Sequence, residues 1–156
     1  MVLTVWDIRI RNAFRTLNFN ENVEGDQLKI SPDGTWVAIS CDNGDTILYD
    51  IIMNKIVYSF PNTGYYSSIN FHPDELILSS SSKMGQFNFW ELTDFTSITS
   101  FKINDDPITC TKFHADGLCL FIGTDSGKIY SIDWESNTAT DHVKIENSII
   151  HDIFYH

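Results

Sequence analysis

The sequence predicts an all-β fold assembled from repeated strand–hairpin units, and three observations carry that reading. The stretch Ile30 to Asp50, ISPDGTWVAISCDNGDTILYD, alternates turns with apolar runs: a turn at Ser31-Pro32-Asp33-Gly34, a run from Trp36 to Cys41, a turn at Asp42 to Asp45, and a run closed by Tyr49-Asp50. Pro32 presets a turn corner, Gly34 accepts a positive φ, and Asn43-Gly44 is a strong hairpin signal. Neither run exceeds strand length or shows a helical period. The phrase then returns twice, at Phe71-His72-Pro73-Asp74-Glu75 and at Phe113-His114-Ala115-Asp116-Gly117. The spacing is nearly constant: 41 positions from Pro32 to Pro73, 42 from Pro73 to Ala115, 43 from Trp6 to Tyr49, 41 from Tyr49 to Trp90 and 44 from Trp90 to Trp134. Short strands on a period of about 40–45 residues mark the blade of a β-propeller.

Taken in order, residues 1–19 read as the third and outer strands of an incomplete blade, with Trp6-Asp7 as its aromatic-acid closure. Residues 20–26 read as an acidic loop. Three full four-strand units follow at 27–61, 67–103 and 108–145, each with an outer strand after its closure. Residues 148–156 repeat the apolar pattern of an opening strand. The sum is about fifteen strands, short of the sixteen in the smallest closed propeller. Repeat units bury their apolar faces only against neighbours, so the two ends are expected to be bare. Another chain covers them, or the chain closes under strain, or the product is truncated. Two copies give about thirty strands, which falls between seven and eight blades.

Composition narrows the function classes. The chain has 156 residues, enough for one domain with a real core, and 42% hydrophobic residues argue against disorder. A net charge of −11 opposes a phosphate-led grip on nucleic acid. Cys41, Cys110 and Cys119 sit in apolar runs without zinc-ligand spacing, which reads as buried thiols in a reducing compartment. No apolar run reaches membrane-spanning length and no signal-peptide core opens the chain, so a cytoplasmic location without a membrane partner is expected.

The repeats resemble WD40 repeats across the whole chain. Ser31-Pro32-Asp33-Gly34-Thr35-Trp36-Val37-Ala38, Phe60-Pro61 leading to Phe71-His72-Pro73, Phe89-Trp90-Glu91-Leu92, and the ending at Trp134-Glu135 are similar to the WD-repeat regulatory, non-catalytic subunit of the microtubule-severing enzyme katanin. The resemblance implies a partial WD40 β-propeller, with about three full four-stranded blades plus flanking strands from incomplete blades. It also implies microtubule or tubulin, or a katanin-type ATPase subunit, as protein partner. The family's subunit carries a C-terminal helical region that holds the ATPase; this sequence ends at His156 without one, leaving the targeting module. The bracing residues of WD40 blades are eroded here. Asn62-Thr63-Gly64 stands in place of a Gly-His pair, Asn104-Asp105-Asp106 opens the third unit, Tyr49 replaces Trp, and Lys83-Met84-Gly85 fills a turn that would carry Asp. Each lost member of a buried network costs roughly 1–3 kcal/mol.

No catalytic, cofactor or metal set emerges. Gly123-Thr124-Asp125-Ser126-Gly127 lacks the Lys-Ser/Thr of a phosphate loop, and Asp42-Asn43-Gly44-Asp45 lacks the length and closing Glu of a calcium loop; both read as turns. Of His72, His114, His142, His151 and His156, the first two recur at one repeat position and belong to blade architecture. Cys110, His114 and Asp116 are close in sequence, yet no orienting group completes a nucleophile. Ser79 to Ser82 read as a tightly packed inner strand, with a phosphorylation cluster as the rival. The single basic concentration is Arg9, Arg11 and Arg15, a candidate docking patch for an acidic protein surface such as tubulin's. The expected function is a non-enzymatic interaction scaffold, a targeting or regulatory module of a katanin-like complex, cytoplasmic and cytoskeleton-associated. The alternative is a truncated or diverged half-propeller that pairs with another half through its exposed end blades.

Overall fold

A computed structural model of the chain describes residues 1–19, 24–61, 66–103, 106–136, 138–145 and 148–154. They form fourteen strands, with no helix among the described residues. A two-stranded sheet pairs β1 (Val2–Asp7) with β2 (Asn12–Asn18). The first four-stranded sheet holds β3 (Gly25–Ile30), β4 (Trp36–Cys41), β5 (Thr46–Asp50) and β6 (Lys55–Phe60). The second holds β7 (Tyr66–Phe71), β8 (Ile77–Ser82), β9 (Gln86–Glu91) and β10 (Ser97–Lys102). The third holds β11 (Ile108–Phe113), β12 (Cys119–Thr124), β13 (Lys128–Asp133) and β14 (Thr138–Lys144). Every ladder is antiparallel and joins strands consecutive in sequence.

The sheets stack as propeller blades, and a separate apolar core lies at each junction. Leu3, Val37, Ile39 and Tyr49 fill the first, Leu48, Phe60, Ile69 and Leu78 the second, and Phe87, Phe89, Leu120, Ile122 and Ile132 the third. Strand β4 shows why its sequence reads as one continuous apolar run. Val37, Ile39 and Cys41 point into the first core and the intervening Ala38 into the second, so both faces are buried. Each such aliphatic or aromatic side chain contributes about 1.5–3 kcal/mol on burial. Strand β7 lies against β3 and β4 of the preceding sheet on one side and against β11 of the following sheet on the other, so the opening strands run along the inside of the arc.

Polar ties cross the blade junctions at intervals of one repeat. The Ile69 amide donates to Gln27 Oε1 (2.8 Å), and Asn70 Nδ2 donates to both the carbonyl (2.7 Å) and the hydroxyl (2.8 Å) of Thr111. Ser68 Oγ accepts from the Thr111 amide (3.1 Å) and hydroxyl (2.9 Å). Ser68, Asn70 and Thr111 are buried, so each leaves an orphan if its partner is removed.

The aromatic-acid closure has a physical meaning. Tyr49 and Trp90 each lie five residues after a turn glycine, Gly44 and Gly85, and the side chain of the following acid caps the next turn. Met53 N donates to Asp50 (2.7 Å), Thr93 N to Glu91 (3.2 Å), and Ser136 N to Asp133 (3.0 Å). In the third unit the residue five after Gly127 is therefore Ile132, not Trp134, and Ile132 is fully buried. This corrects the spacing of 44: from Trp90 to Ile132 it is 42. Trp134 instead donates from Nε1 to the Gly117 carbonyl (2.9 Å) and stands edge-on to His72, 5.6 Å between ring centres. The turn at Asn43-Gly44 also differs from the simplest two-residue hairpin. Only Gly44 has a positive φ (91°), and Gly44 N bonds back to the Cys41 carbonyl (2.9 Å), a type I turn closed by a glycine bulge.

The serine run of β8 is buried throughout, which removes the phosphorylation reading, since no kinase reaches it in the folded chain. Its hydroxyls tie the blade together: Ser79 and Ser81 donate to the carbonyls of Asn70 and Ser68, and Ser80 accepts from Trp90 Nε1 (2.9 Å). Residues 148–154, expected to open a further blade, form no strand. Ile150 nonetheless occupies the next inner position, receiving the hydroxyl of Thr109 forty-one residues earlier and donating to the Thr124 carbonyl (3.2 Å). The Asn62-Thr63-Gly64 phrase, Asn104-Asp105, most of the acidic loop and His156 lie outside the described residues, as do the side chains of Tyr66, Ser67, Phe101, Asp141 and His142.

His72 and His114 share a repeat position and have different surroundings. His72 is 4% exposed; its Nδ1 accepts from the amides of Asp74 (3.1 Å) and Glu75 (2.8 Å), leaving Nε2–H to donate to the Gly117 carbonyl of the next blade (2.9 Å). Gly117 has φ +75°, and a Cβ there would run into the His72 ring, so this junction needs glycine twice over. His114 is partly exposed and pairs with Asp116 (2.6 Å). We predict that His72→Ala lowers the urea-unfolding free energy by about 2–3 kcal/mol, whereas His114→Ala stays within about 0.5 kcal/mol. The thiols provide a second check. Burial, then the Asp45 and Asp42 charges, push Cys41 up to about 11, and Cys41 and Cys110 are both buried while Cys119 is partly exposed. Ellman's reagent at pH 8 is expected to label Cys119 first and the other two only as urea unfolds the chain.

Candidate interaction surface

The turn between β1 and β2 presents the most exposed large apolar side chain among the described residues. Asp7 closes β1 and caps the turn by accepting from the Arg9 amide (2.9 Å), and Arg11 N donates to the Asp7 carbonyl (3.0 Å) with Arg11 at φ 55°. The remaining side chains are thrown outward: Ile8 is 90% exposed, and Trp6 and Ile10 are also exposed. Arg9 and Arg11 sit among them, making a knuckle of alternating isoleucine and arginine. Arg9 also pairs with Asp7 (2.7 Å), which holds the Asp7 carboxyl below the usual range and raises the guanidinium. This pair is at the surface and stabilises little.

Arg15 does not join the other two. Its guanidinium lies over the Phe14 ring, 4.4 Å from the centre, and its charge acts on Tyr49, whose phenol is pushed up chiefly by burial. The structure thus brings Arg9 and Arg11 together on the knuckle and turns Arg15 toward the first junction. Sequence reasoning missed Ile8 and Ile10 because Val2 to Ile8 reads as one alternating strand. The tight turn at Asp7 is what reverses the chain and exposes them.

A second feature is a notch against the first sheet. Leu28 and Ile30 of β3 are 45% and 59% exposed, although they stand opposite the buried Ile39 and Val37 on the same face. That face meets only two strands, β1 and β2, where the other junctions meet four. Met1, Val2, Leu3 and Leu28 line the resulting cleft, about 220 Å³ in volume.

A third feature is a groove of about 230 Å³ between the first turns of the first two full blades. Trp36, Phe71, Leu76 and Leu92 make its apolar wall, and Asp33, Asp74 and Glu75 stand on its rim. Ser31 and Thr35 donate to Asp33 and hold its carboxyl below the usual range, so it is ionised at neutral pH.

The catalytic possibilities come apart. Cys110 points away from the His114–Asp116 pair, its thiol donating to the Ile150 carbonyl (3.7 Å) and pushed up by burial. Gly127 closes a strand turn by donating to the Thr124 carbonyl (3.2 Å), and Asn43 bonds Asp45 across its own turn (2.9 Å). Among the described residues no three His, Cys, Asp or Glu side chains group as a metal site, and no helix is long and apolar enough to cross a membrane.

No protein-family model matches the chain. Echinoderm microtubule-associated protein-like 4 from Xenopus laevis and from Xenopus tropicalis is 28% identical over 66% of this chain and 12% of its own length. Periodic tryptophan protein 2 of Saccharomyces cerevisiae is 23% identical over 60% of this chain and 10% of its own length. The chain therefore spans about a tenth of the curated relatives it matches. These relatives are WD-repeat proteins, and they support WD40 repeats without a link to katanin. With three antiparallel four-stranded blades on one repeat length and no helix among the described residues, the chain has an all-β fold consistent with a partial WD40 β-propeller.

Proposed function

We propose that the chain is a non-enzymatic scaffold that docks a protein partner through the knuckle at Trp6 to Arg11. The observation that carries this is the cluster of exposed isoleucine and arginine on a turn fixed by the Asp7 cap. Propellers bind through such loops on a rigid body, with no reaction chemistry required. Apolar side chains give contact area, and arginines steer toward an acidic surface.

The finer reading is a microtubule-directed module, cytoplasmic and cytoskeleton-associated. It is supported by the name of the Xenopus relatives and by the basic knuckle on an otherwise acidic chain. The katanin resemblance adds a severing ATPase subunit as a second candidate partner. In co-sedimentation at low salt the chain is expected to pellet with microtubules, and Arg9→Glu with Arg11→Glu to weaken this about tenfold. Absence of salt-sensitive pelleting overturns the microtubule reading.

The bare notch favours a second reading, pairing with another propeller piece. Exposed Leu28 and Ile30 at an otherwise buried register are the specific observation. Light scattering after size exclusion is expected to show association at micromolar concentration that Leu28→Ser with Ile30→Ser abolishes. A monomer with cooperative melting overturns it.

A further inference from the structure

We propose that the groove between the Ser31–Trp36 and His72–Leu76 turns binds an extended peptide segment in which apolar side chains alternate with arginine or lysine. The inference rests on the scaffold reading above and names a second surface, on a different part of the molecule from the knuckle.

The groove exists because of how two successive blades meet. Ser31 and His72 hold equivalent places: the amide of Ser31 donates to the Trp36 carbonyl (2.9 Å) and that of His72 to the Ile77 carbonyl (2.9 Å). Each closes a first turn, and the space between the two turns is left open. Its floor is Leu92, 2% exposed, and its walls are the half-buried Trp36 and Phe71. Leu76 stands at the mouth and is 49% exposed, an apolar side chain with nothing over it.

Charge selects the occupant. The rim carries Asp33, Asp74 and Glu75, and no lysine or arginine lines the groove. Asp33 is fixed by Ser31 and Thr35, so its charge is rigidly placed. Asp74 and Glu75 use their backbone amides on His72, which fixes the turn, while their side chains are exposed and form no ion pair among the described residues. An acidic segment would meet three like charges, and a wholly apolar one would leave the rim unanswered. An apolar side chain in the slot with a flanking guanidinium or ammonium satisfies both, and the Trp36 ring adds a face on which a cation can stack. The volume of about 230 Å³ suits one or two side chains, so recognition is of a short segment.

The test is fluorescence anisotropy with labelled octapeptides of alternating leucine and arginine, leucine and glutamate, or serine and arginine. The leucine–arginine peptide is expected to bind at least tenfold tighter than either other peptide. Asp74→Asn with Glu75→Gln, both exposed and compatible with an unchanged circular dichroism spectrum, should weaken it at least fivefold, and Leu76→Ser about threefold. Asp42→Asn with Asp45→Asn, at the turn on the other end of the strands, should change it less than twofold. Equal binding of the serine–arginine peptide, or equal weakening by the Asp42 and Asp45 changes, overturns the proposal by reducing the groove to part of a generally acidic surface. Microtubule pelleting without any peptide binding overturns the groove alone. Peptide binding without pelleting overturns the microtubule reading alone.

Discussion

A blade is a sheet with two apolar faces, and only another blade can cover either of them. Most of the structure follows from that constraint. The three cores lie at junctions and not within blades, so Tyr49, Phe60 and Ile132 are fully buried although each belongs to a sheet only four strands wide. The same constraint explains the surface. Leu28 and Ile30 have the register of buried residues and are exposed because the half-blade beside them supplies two strands where four are needed.

Much of the fold was legible in the sequence because turns punctuate it so regularly. The five turn glycines, Gly34, Gly44, Gly85, Gly117 and Gly127, all take positive φ. Strands of five to seven residues lie between them, so the turns alone mark out most of the elements. The failures have physical causes. Trp134 reads as a blade closure because tryptophan followed by an acid is a strong pattern, but strand register is counted from the turn, and by that count Ile132 fills the place. His72 and His114 looked alike because their turns are alike. What separates them is a contact 45 residues away, the Gly117 carbonyl, which no local pattern reveals. The candidate surfaces were less legible still: the arginines were visible, but the knuckle, the notch and the groove depend on which face a turn presents.

The recurring acid after the aromatic illustrates how one residue serves two levels of structure. Asp7, Asp50, Glu91 and Asp133 each cap the turn that follows, whatever precedes them. The residue before the acid is free to vary, as Tyr49, Trp90 and Ile132 show, so long as it packs against the junction. At Trp6 the cap persists while the aromatic is 62% exposed, since no second strand of that blade stands beside it. Local capping and blade packing are therefore separable, and the knuckle arises where the first is present without the second.

Because each ladder joins only consecutive strands, a blade can close from about forty residues of chain without waiting for distant partners. Loop closure over such short separations is cheap, and hairpins form in microseconds. The slower step is then the docking of one finished blade on the next, which a ribosome delivering the chain from its amino end would meter in order. An arc built this way acquires its shape progressively, each new sheet finding its predecessor already folded.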